Sequence, residues 1–124
     1  SDLALGSRHG TPTALQLLVL ELLEDQELQR SADAAGCRLL TAQAERSVCS
    51  LHGELRSVTT RPVADGASAL EAQLYDGSGQ VTLVWLGRRR IEGIEPGRRL
   101  TVHGRIGRRG DAYVLYNPRY ELDA

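Results

Sequence analysis

The sequence lacks three residue types entirely: its 124 residues include no Met, no Phe and no Lys. Because Met is absent, the first residue is not a natural start, and we expect residues 1–10 to be a flexible segment that need not be native. Because Lys is absent, all 15 basic residues are Arg, which suits phosphates and bases, although a GC-rich genome produces the same bias. Aromatic residues make up only 4%, which leaves few rings on which a nucleic-acid base can stack.

Cysteine and histidine are also scarce. The two cysteines, Cys37 and Cys49, are too few for a disulfide framework or a paired-cysteine zinc motif, and we expect Cys49 to be a reduced, buried thiol. The three histidines, His9, His52 and His103, do not have the spacing of metal ligands. We expect His52 and His103 to be cross-strand neighbours on a solvated face. The sequence therefore predicts no metal and no cofactor.

Motifs for catalysis, secretion and membrane insertion are absent as well. There is no serine elbow, phosphate-binding loop or His–carboxylate constellation, so the sequence predicts a protein that is not an enzyme and has no small-molecule substrate. There is no signal-peptide pattern, and the apolar run at residues 14–23 is too short to span a bilayer. We therefore expect no membrane partner and a cytoplasmic location.

The charge is unevenly distributed along the chain. The net charge of −1 favours no particular partner. Residues 1–46 contain seven acidic and four basic residues, a charge of −3. Residues 47–124 contain nine acidic and eleven basic residues, a charge of +2. The length suits one compact domain with an appendage. We predict that residues 11–46 form an N-terminal helix and linker, and that residues 47–124 form a single β-barrel domain.

The N-terminal helix is predicted to run from Thr13 to about Ala35. Thr11 and Pro12 suit a capping position and the first helical position, and Gly36 suits the end. The start of this helix is apolar on most sides, so the helix must cover something. It either packs on the barrel or pairs with a second copy, and the sequence leaves both open. Self-association would use three leucines: Leu15, Leu18 and Leu22.

The first predicted strand is long, from Ser47 to Thr60. Apolar and polar residues alternate along it, as expected for a strand that is buried on one face. The alternation changes phase before Val58, which predicts a bulge or bend at residues 56–57. A loop with a Pro and an Asp-Gly turn then occupies residues 61–68.

The second and third strands form the hairpin on which the domain is built, within residues 69–90. Its turn, residues 76–79, contains the glycines that tight hairpins require. The fourth strand is predicted from Arg98 to Ile106, and the fifth from Ala112 to Asn117. A long bent first strand, a tight hairpin and a crossing before the fourth strand match a mainly β fold, the five-stranded Greek-key barrel of the OB type, here with an N-terminal α-helix.

From Val48 to Leu122 the chain resembles the OB-fold nucleic-acid-binding family, which includes anticodon-binding domains and domains of bacterial DNA helicases. The strand around Gly53, the segment 75–83 and the segment 96–104 carry this resemblance. Residues 117–121 are similar to the strand ending in the wedge domain of RecG-type helicases. A group of short actinobacterial OB-fold proteins of unassigned role is similar too, including over residues 83–90.

The resemblance implies binding of single-stranded or junction nucleic acid, DNA or RNA, without catalysis. In this fold the ligand lies on the outer face of strands two and three, between the loop joining strands one and two and the loop joining strands four and five. Arginines would follow the phosphates and Tyr75 would stack on a base. The residues expected in these loops or on outward faces are Arg56, Arg61, Gln73, Tyr75, Arg88, Arg89, Arg90, Arg105, Arg108 and Arg109.

Several assignments stay open at this point. Trp85 shares the phase of core residues, which favours packing over base stacking. Tyr113 and Tyr116 lie on opposite faces of their strand, so that one is buried and the other exposed. Glu54 and Glu71 would repel phosphate and count against a strong site.

A second function also fits the sequence. The arginine runs 88–90 and 108–109 suit phosphate contacts, but such runs also occur as solvated turns. If they are solvated turns, the chain is better described as a protein-interaction adaptor or homodimer. The leucine-rich helix would then make the contact and the barrel would be a scaffold.

Overall fold

The computed structural model describes residues 10–124, so the segment expected to be flexible, residues 1–10, lies outside the described residues except for Gly10. One α-helix, α1, spans Ala14–Ala34. Short 3₁₀ turns span Leu40–Ala42 and Ala64–Gly66. The strands are β1 (Val48–Pro62), β2 (Ser68–Tyr75), β3 (Gln80–Leu86), β4 (Arg99–Arg105), β5 (Gly107–Arg109), β6 (Ala112–Tyr116) and β7 (Arg119–Leu122).

The strands form one sheet that closes into a barrel. Its order is β5-β6-β3-β2-β1-β4-β7, in which β3 and β6 are parallel and the other pairs antiparallel. Only Ile106 separates β4 from β5, so these are two halves of one bent strand, which pairs with β1 through one half and with β6 through the other. Asn117 and Pro118 divide β6 from β7 in the same way. The predicted five-stranded OB-type barrel is therefore confirmed, with two of its strands interrupted.

Each interruption has a local cause. The amide of Ile106 donates to the carbonyl of Ser47, and the carbonyl of Ile106 accepts from the amide of Arg46, which turns the strand around a buried side chain. Asn117 has a φ of 50°, and Pro118 has no amide proton to donate to a ladder. The predicted end of pairing at Pro118 is correct, but the chain resumes pairing one residue later, as β7.

The bulge predicted in the first strand is confirmed. The register of β1 against β2 shifts between Leu55 and Ser57, so Arg56 is the extra residue. After the bulge, Val58 packs against the core as its changed phase requires. A long strand bent in this way can pair with β4 through its first half and with β2 through its second.

The core fills the barrel with side chains from all five strands and from the connector between β3 and β4. Trp85 belongs to it: the indole is buried, its Nε1 donates to the carbonyl of Pro118 at 3.0 Å, and Tyr120 packs edge-on at 5.9 Å between ring centres. Core packing of Trp85 is therefore confirmed over base stacking. The connector contributes the two isoleucines that close the barrel end, Ile91 and Ile94.

The predicted N-cap of the helix is wrong by two residues. Thr13, not Thr11, is the N-cap: its hydroxyl accepts from the amide of Gln16, whose side chain accepts in return from the amide of Thr13. Thr13 followed three residues later by Gln16 is the sequence signal for this capping box. At the other end Gly36 stops the helix as predicted, with a φ of 79°.

The second half of α1 docks on the barrel, whereas the first half does not. Leu28 and Ala32 are its only buried residues. The side-chain Nε2 of Gln29 donates to the carbonyl of Gly77 at 2.8 Å, and a Cβ on Gly77 would collide with the backbone of Asp25. The helix therefore sits on the turn of the β2–β3 hairpin.

The expectation of two solvated histidines is wrong for His52. This side chain is buried, and its Nε2 lies 2.8 Å from Oδ2 of Asp123, the residue that follows β7. His103 is partly exposed and bonds to Ser50. The strands that carry the two histidines do pair, but His52 registers with Thr101, so the histidines are diagonal neighbours.

Candidate nucleic-acid interface

The candidate interface is the outer face of β2, β3 and β6. Successive side chains of a strand point to opposite sides, so the residues between the core positions face outward. They are Glu71 and Gln73 on β2, Thr82 and Val84 on β3, and Val114 and Tyr116 on β6. Val84 registers with both Glu71 and Tyr116, which places these three residues in one row across the strands. Ala69, Val84 and Val114 form a small buried cluster on this face.

Glu71 holds two arginines together over this face. Its side chain is only 7% exposed, and its Oε1 lies 3.1 Å from Nε of Arg61. Nη1 of Arg109 donates to Oε2 at 3.1 Å, and Nη2 to Oε1 at 3.3 Å. The hydrogen bonds that Arg109 donates to Glu71 hold the pKa of Arg109 above its ordinary value. Arg61 and Arg109, which are predicted from the sequence to lie in loops, lie near the end of β1 and at the end of β5, and the two side chains meet across the face.

The carboxylate of Glu71 compensates part of the positive charge of Arg61 and Arg109. Two guanidinium groups and one carboxylate leave a net charge of +1. An arginine has five N–H donors; Glu71 engages two of those on Arg109 and forms an ion pair with Arg61. The side chains of Arg61 and Arg109 remain 64% and 44% exposed, so both still present surface to a ligand.

The arginine run 88–90 occupies an exposed turn directly after β3. The hydroxyl of Thr60 donates to the carbonyl of Arg89 at 2.9 Å, which ties this turn to β1 one residue before Arg61. Within residues 10–124, none of the three guanidinium groups forms an ion pair or a side-chain hydrogen bond. Arg61 and residues 88–90 therefore place four exposed arginines at the end of the barrel where β3 ends; we call it the cationic end.

The opposite end of the face, at Tyr75, is covered by α1. The hydroxyl of Tyr75 donates to Oδ1 of Asp25 at 2.9 Å, and the guanidinium of Arg56 lies 5.0 Å from the centre of the ring. Burial and the bond to Asp25 raise the pKa of Tyr75. Glu21 and Glu24 line the same cleft, so this end is acidic. The structure thus separates Tyr75 and Arg56 from the cationic end.

Two further predicted arginines are engaged away from the outer face. Nη1 of Arg105 donates to a backbone carbonyl just before β1 at 2.6 Å. Nε of Arg108 donates to Glu45 at 2.8 Å, and its guanidinium lies 4.8 Å from the ring centre of Tyr113. Arg108 and Arg109 are consecutive strand residues and point to opposite sides, so the two do not act together.

Gln73 lies on the outer face, as predicted, within a small polar network. Its Oε1 accepts from Nε2 of Gln80 and from the hydroxyl of Thr82, both at 3.0 Å. Among the described residues its own amide nitrogen has no acceptor. Gln73 can therefore donate to an acceptor on a base.

The sequence analysis did not place Tyr116, which is the exposed aromatic side chain of this face. Tyr116 is 51% exposed, whereas Tyr113 packs against the core. Alternation along β6 puts the two tyrosines on opposite faces but does not say which face is which. The parallel register with β3 does, because Tyr116 pairs with the outward Val84.

Two features of other kinds of site are absent from the part of the chain that the structure describes. Residues 10–124 contain no group of three His, Cys, Asp or Glu side chains placed to hold a metal ion. They also contain no helix with the length and apolar character needed to cross a membrane.

A closed barrel with a flat outer face between two loops is the architecture of the OB type of binding domain. Residues 49–123 match the family model of the OB-fold nucleic acid binding domain. This match covers more than half of the chain, and the protein belongs to that family. The predicted resemblance to OB-fold nucleic-acid-binding domains is therefore confirmed.

Two solved structures share this fold over 68% of the chain, each at 20% identity. One is the structure of RecG bound to a three-way DNA junction, with a TM-score of 0.55, of which the match covers 12%. The other is the HINb domain of p204, with a TM-score of 0.51, of which the match covers 44%. This protein therefore corresponds to less than half of either chain, and the likeness is one of fold. No curated protein matches the sequence.

Proposed function

We propose that this protein is a non-catalytic module that binds single-stranded or junction nucleic acid at the cationic end of its outer face. The observation that carries the proposal is the exposed run 88–90, free of carboxylate partners within residues 10–124 and next to Arg61. Guanidinium groups bind phosphate oxygens with paired hydrogen bonds. The similar structure of RecG holds a three-way DNA junction, which supports including branched ligands.

The charge distribution along the face gives the ligand a direction. Phosphates are attracted to Arg61 and residues 88–90, and repelled at the other end by Glu21, Glu24 and Asp25. A strand therefore enters at the cationic end, crosses β3 and leaves before it reaches Tyr75. A net charge of −1 does not oppose this binding, because the attraction is local and bulk charge is screened within about 10 Å.

The test measures binding to labelled single-stranded, duplex and three-way-junction oligonucleotides by fluorescence anisotropy at two salt concentrations. With one phosphate contact for each arginine of the run 88–90, the log of the single-strand affinity falls by about 2.1 per tenfold rise in salt, so a fourfold rise weakens binding roughly 20-fold. Changing Arg88, Arg89 and Arg90 to Ala removes these contacts and with them most of the salt dependence.

A matched control removes the same number of charges elsewhere. Arg30, Arg38 and Arg119 are exposed and lie outside the outer face. Changing these three to Ala should leave the salt dependence of binding as it is in the unmodified protein. If no oligonucleotide shows salt-sensitive binding, or if the control triple variant loses as much affinity as the Arg88–Arg90 triple variant, the proposal is wrong.

A second candidate function is self-association through the first half of α1, and the exposure of this segment favours it. Seven apolar side chains are between 47% and 69% exposed: Leu15, Leu17, Leu18, Val19, Leu20, Leu22 and Leu23. They point to most sides of the helix, because successive helical residues are about 100° apart. One stripe, formed by Leu15, Leu18 and Leu22, can pack against the same stripe of a second copy.

Charge along the helix favours an antiparallel pair. The apolar half, residues 14–23, contains one acid, whereas residues 24–33 contain four acids and one Arg. In an antiparallel pair centred on residues 14–23 the acidic halves point away from each other, which avoids repulsion. In this proposal residues 11–46 associate, and the barrel of residues 47–124 binds nucleic acid at each end of the dimer.

Leu18→Glu tests this second function, because a carboxylate in the apolar contact would have to be desolvated. Light scattering across a range of concentrations should show a dimer for the unmodified protein and a monomer for this variant. Gln26→Glu adds the same charge on an exposed position outside the apolar half and should stay dimeric. An unmodified protein that is monomeric at the highest concentration contradicts self-association.

A further inference from the structure

We propose that Glu71 makes Arg61 and Arg109 a stacking platform for one unpaired base, next to Tyr116, instead of contacts for phosphate. This inference rests on the proposed nucleic-acid binding and assigns a task to the centre of the face. It differs from the expectation drawn from the sequence, in which every arginine follows the backbone and Tyr75 receives the base.

The hydrogen-bond geometry leaves the flat faces of the Arg109 guanidinium available. All guanidinium N–H bonds lie in the plane of the group, so a carboxylate that accepts them binds at an edge. Glu71 accepts from Nη1 and Nη2 of Arg109 in this way, and its Oε1 forms an ion pair with Nε of Arg61 at 3.1 Å. Both side chains stay substantially exposed. Planar guanidinium groups stack on bases as aromatic rings do.

A phosphate is a poor competitor for these two arginines. The Glu71 side chain is nearly buried, and taking its partners away would leave an uncompensated carboxylate in a partly apolar place. Breaking a buried ion pair by removing one side is strongly unfavourable. The Arg61–Glu71–Arg109 bridge therefore persists when a ligand binds, and its net charge of +1 attracts a phosphate less than the uncompensated run 88–90 does.

Tyr116 completes the platform. It stands in the same row as Glu71, across β3, with Val84 between them. Adjacent strands are about 4.8 Å apart, so the row from Glu71 to Tyr116 spans about 10 Å and sets the Tyr116 ring beside the arginine pair.

The composition explains why such a platform is needed. Proteins that bind single strands usually stack successive bases on aromatic rings. Here Phe is absent, Trp85 is in the core, and Tyr75 is covered by Arg56 and α1. Tyr116 is the one ring left exposed on the outer face among the described residues, and the two held guanidinium planes extend it.

The test uses changes that keep charge but remove the planar group. Arg61→Lys with Arg109→Lys should weaken binding of a single strand roughly 5- to 150-fold, the range for loss of stacking on one base, while the salt dependence stays the same. A 2-aminopurine base in the strand should lose the quenching that it shows when stacked on the unmodified protein. Arg38→Lys with Arg119→Lys, outside the face, is the matched control and should change neither measurement.

Two results would overturn the inference. One is a double Lys variant that binds as tightly as the unmodified protein, since a Lys replaces Arg well as a phosphate contact. The other is a loss of affinity accompanied by a weaker salt dependence. If circular dichroism shows that the double variant does not fold, the Tyr116→Leu variant is the deciding test, because Tyr116 lies outside the ion bridge. This variant should bind the single strand more weakly with an unchanged salt dependence. An unchanged affinity would refute the platform. Absence of any salt-sensitive binding would instead defeat the proposed function itself.

Discussion

Asp76 is the residue whose removal we expect to damage the fold most through polar contacts alone. It is buried at the β2–β3 turn. Its Oδ1 accepts from the amide of Ser78 at 2.8 Å, the hydroxyl of Ser78 at 2.7 Å and the amide of Gly79 at 3.0 Å. Its Oδ2 accepts from the amide of Leu40 at 2.7 Å, across 36 positions of sequence. One carboxylate thus forms the turn and ties the linker after α1 to the barrel.

Two substitutions separate these tasks. Asp76→Asn keeps an oxygen for the turn but places an NH₂ group opposite the amide of Leu40, leaving a buried donor unsatisfied at a cost of about 1–2 kcal/mol. Asp76→Ala removes all four hydrogen bonds that the carboxylate accepts. A hydrogen bond to a charged group contributes about 1.5 kcal/mol or more to stability, before the structure relaxes. We expect Asp76→Ala to cost about 3 kcal/mol in the free energy of unfolding.

Urea unfolding followed by circular dichroism measures these costs. With a slope of about 2 kcal/mol/M, the midpoint should fall by about 0.5–1 M for Asp76→Asn and by about 1.5 M for Asp76→Ala. Hydrogen exchange should also show faster exchange at the Leu40 amide in both variants. Asp111→Asn, in an exposed turn, is the control and should leave the midpoint unchanged. A Leu40 amide that stays fully protected in Asp76→Asn, or a loss below about 1 kcal/mol in Asp76→Ala, would refute the reasoning.

Two further predictions concern titratable groups. Burial raises the pKa of the Cys37 and Cys49 thiols, so both should react with iodoacetamide at pH 8 far more slowly in the folded protein than in urea, as counted by mass spectrometry; rapid labelling without urea would contradict this. The hydrogen bond from Arg99 lowers the pKa of Glu27, so this pair stabilises the fold above the unfolded pKa of Glu27 and ceases to do so as pH falls through the lowered value. The difference in stability between the unmodified protein and Glu27→Gln should therefore shrink between neutral and acidic pH, and a difference that is constant with pH would exclude this pair as its cause.

Most of the fold could be predicted because it depends on local patterns. The period of two, the glycine turn and the phase change before Val58 each constrain the chain within a few residues. The misplaced helix start had a local signal too, since Thr13 and Gln16 form a capping box. What the pattern could not supply was the environment of His52, because its hydrogen-bond partner is Asp123, 71 positions away.

The candidate site was less predictable for the same reason. Alternation correctly places Gln73 and Glu71 outward, but it does not say which arginines reach Glu71. Arg109 is 38 positions away from it and arrives only because β5 closes the barrel beside β6. Likewise Tyr75 has the outward phase that alternation predicts, but α1, which docks on the hairpin turn through long-range contacts, covers it.

The groups that each arginine contacts, more than the number of arginines, determine which role that arginine can have. Arg105 and Arg108 bond to groups beside β1, and Arg56 lies over Tyr75, so these three serve the fold. Arg61 and Arg109 share one carboxylate, which compensates part of their charge while both side chains stay exposed. The run 88–90 keeps its charge in full within the described chain. A chain with a net charge of −1 can in this way carry a local cationic surface, because among residues 10–124 the carboxylates pair with arginines that hold the barrel together and not with those that follow β3.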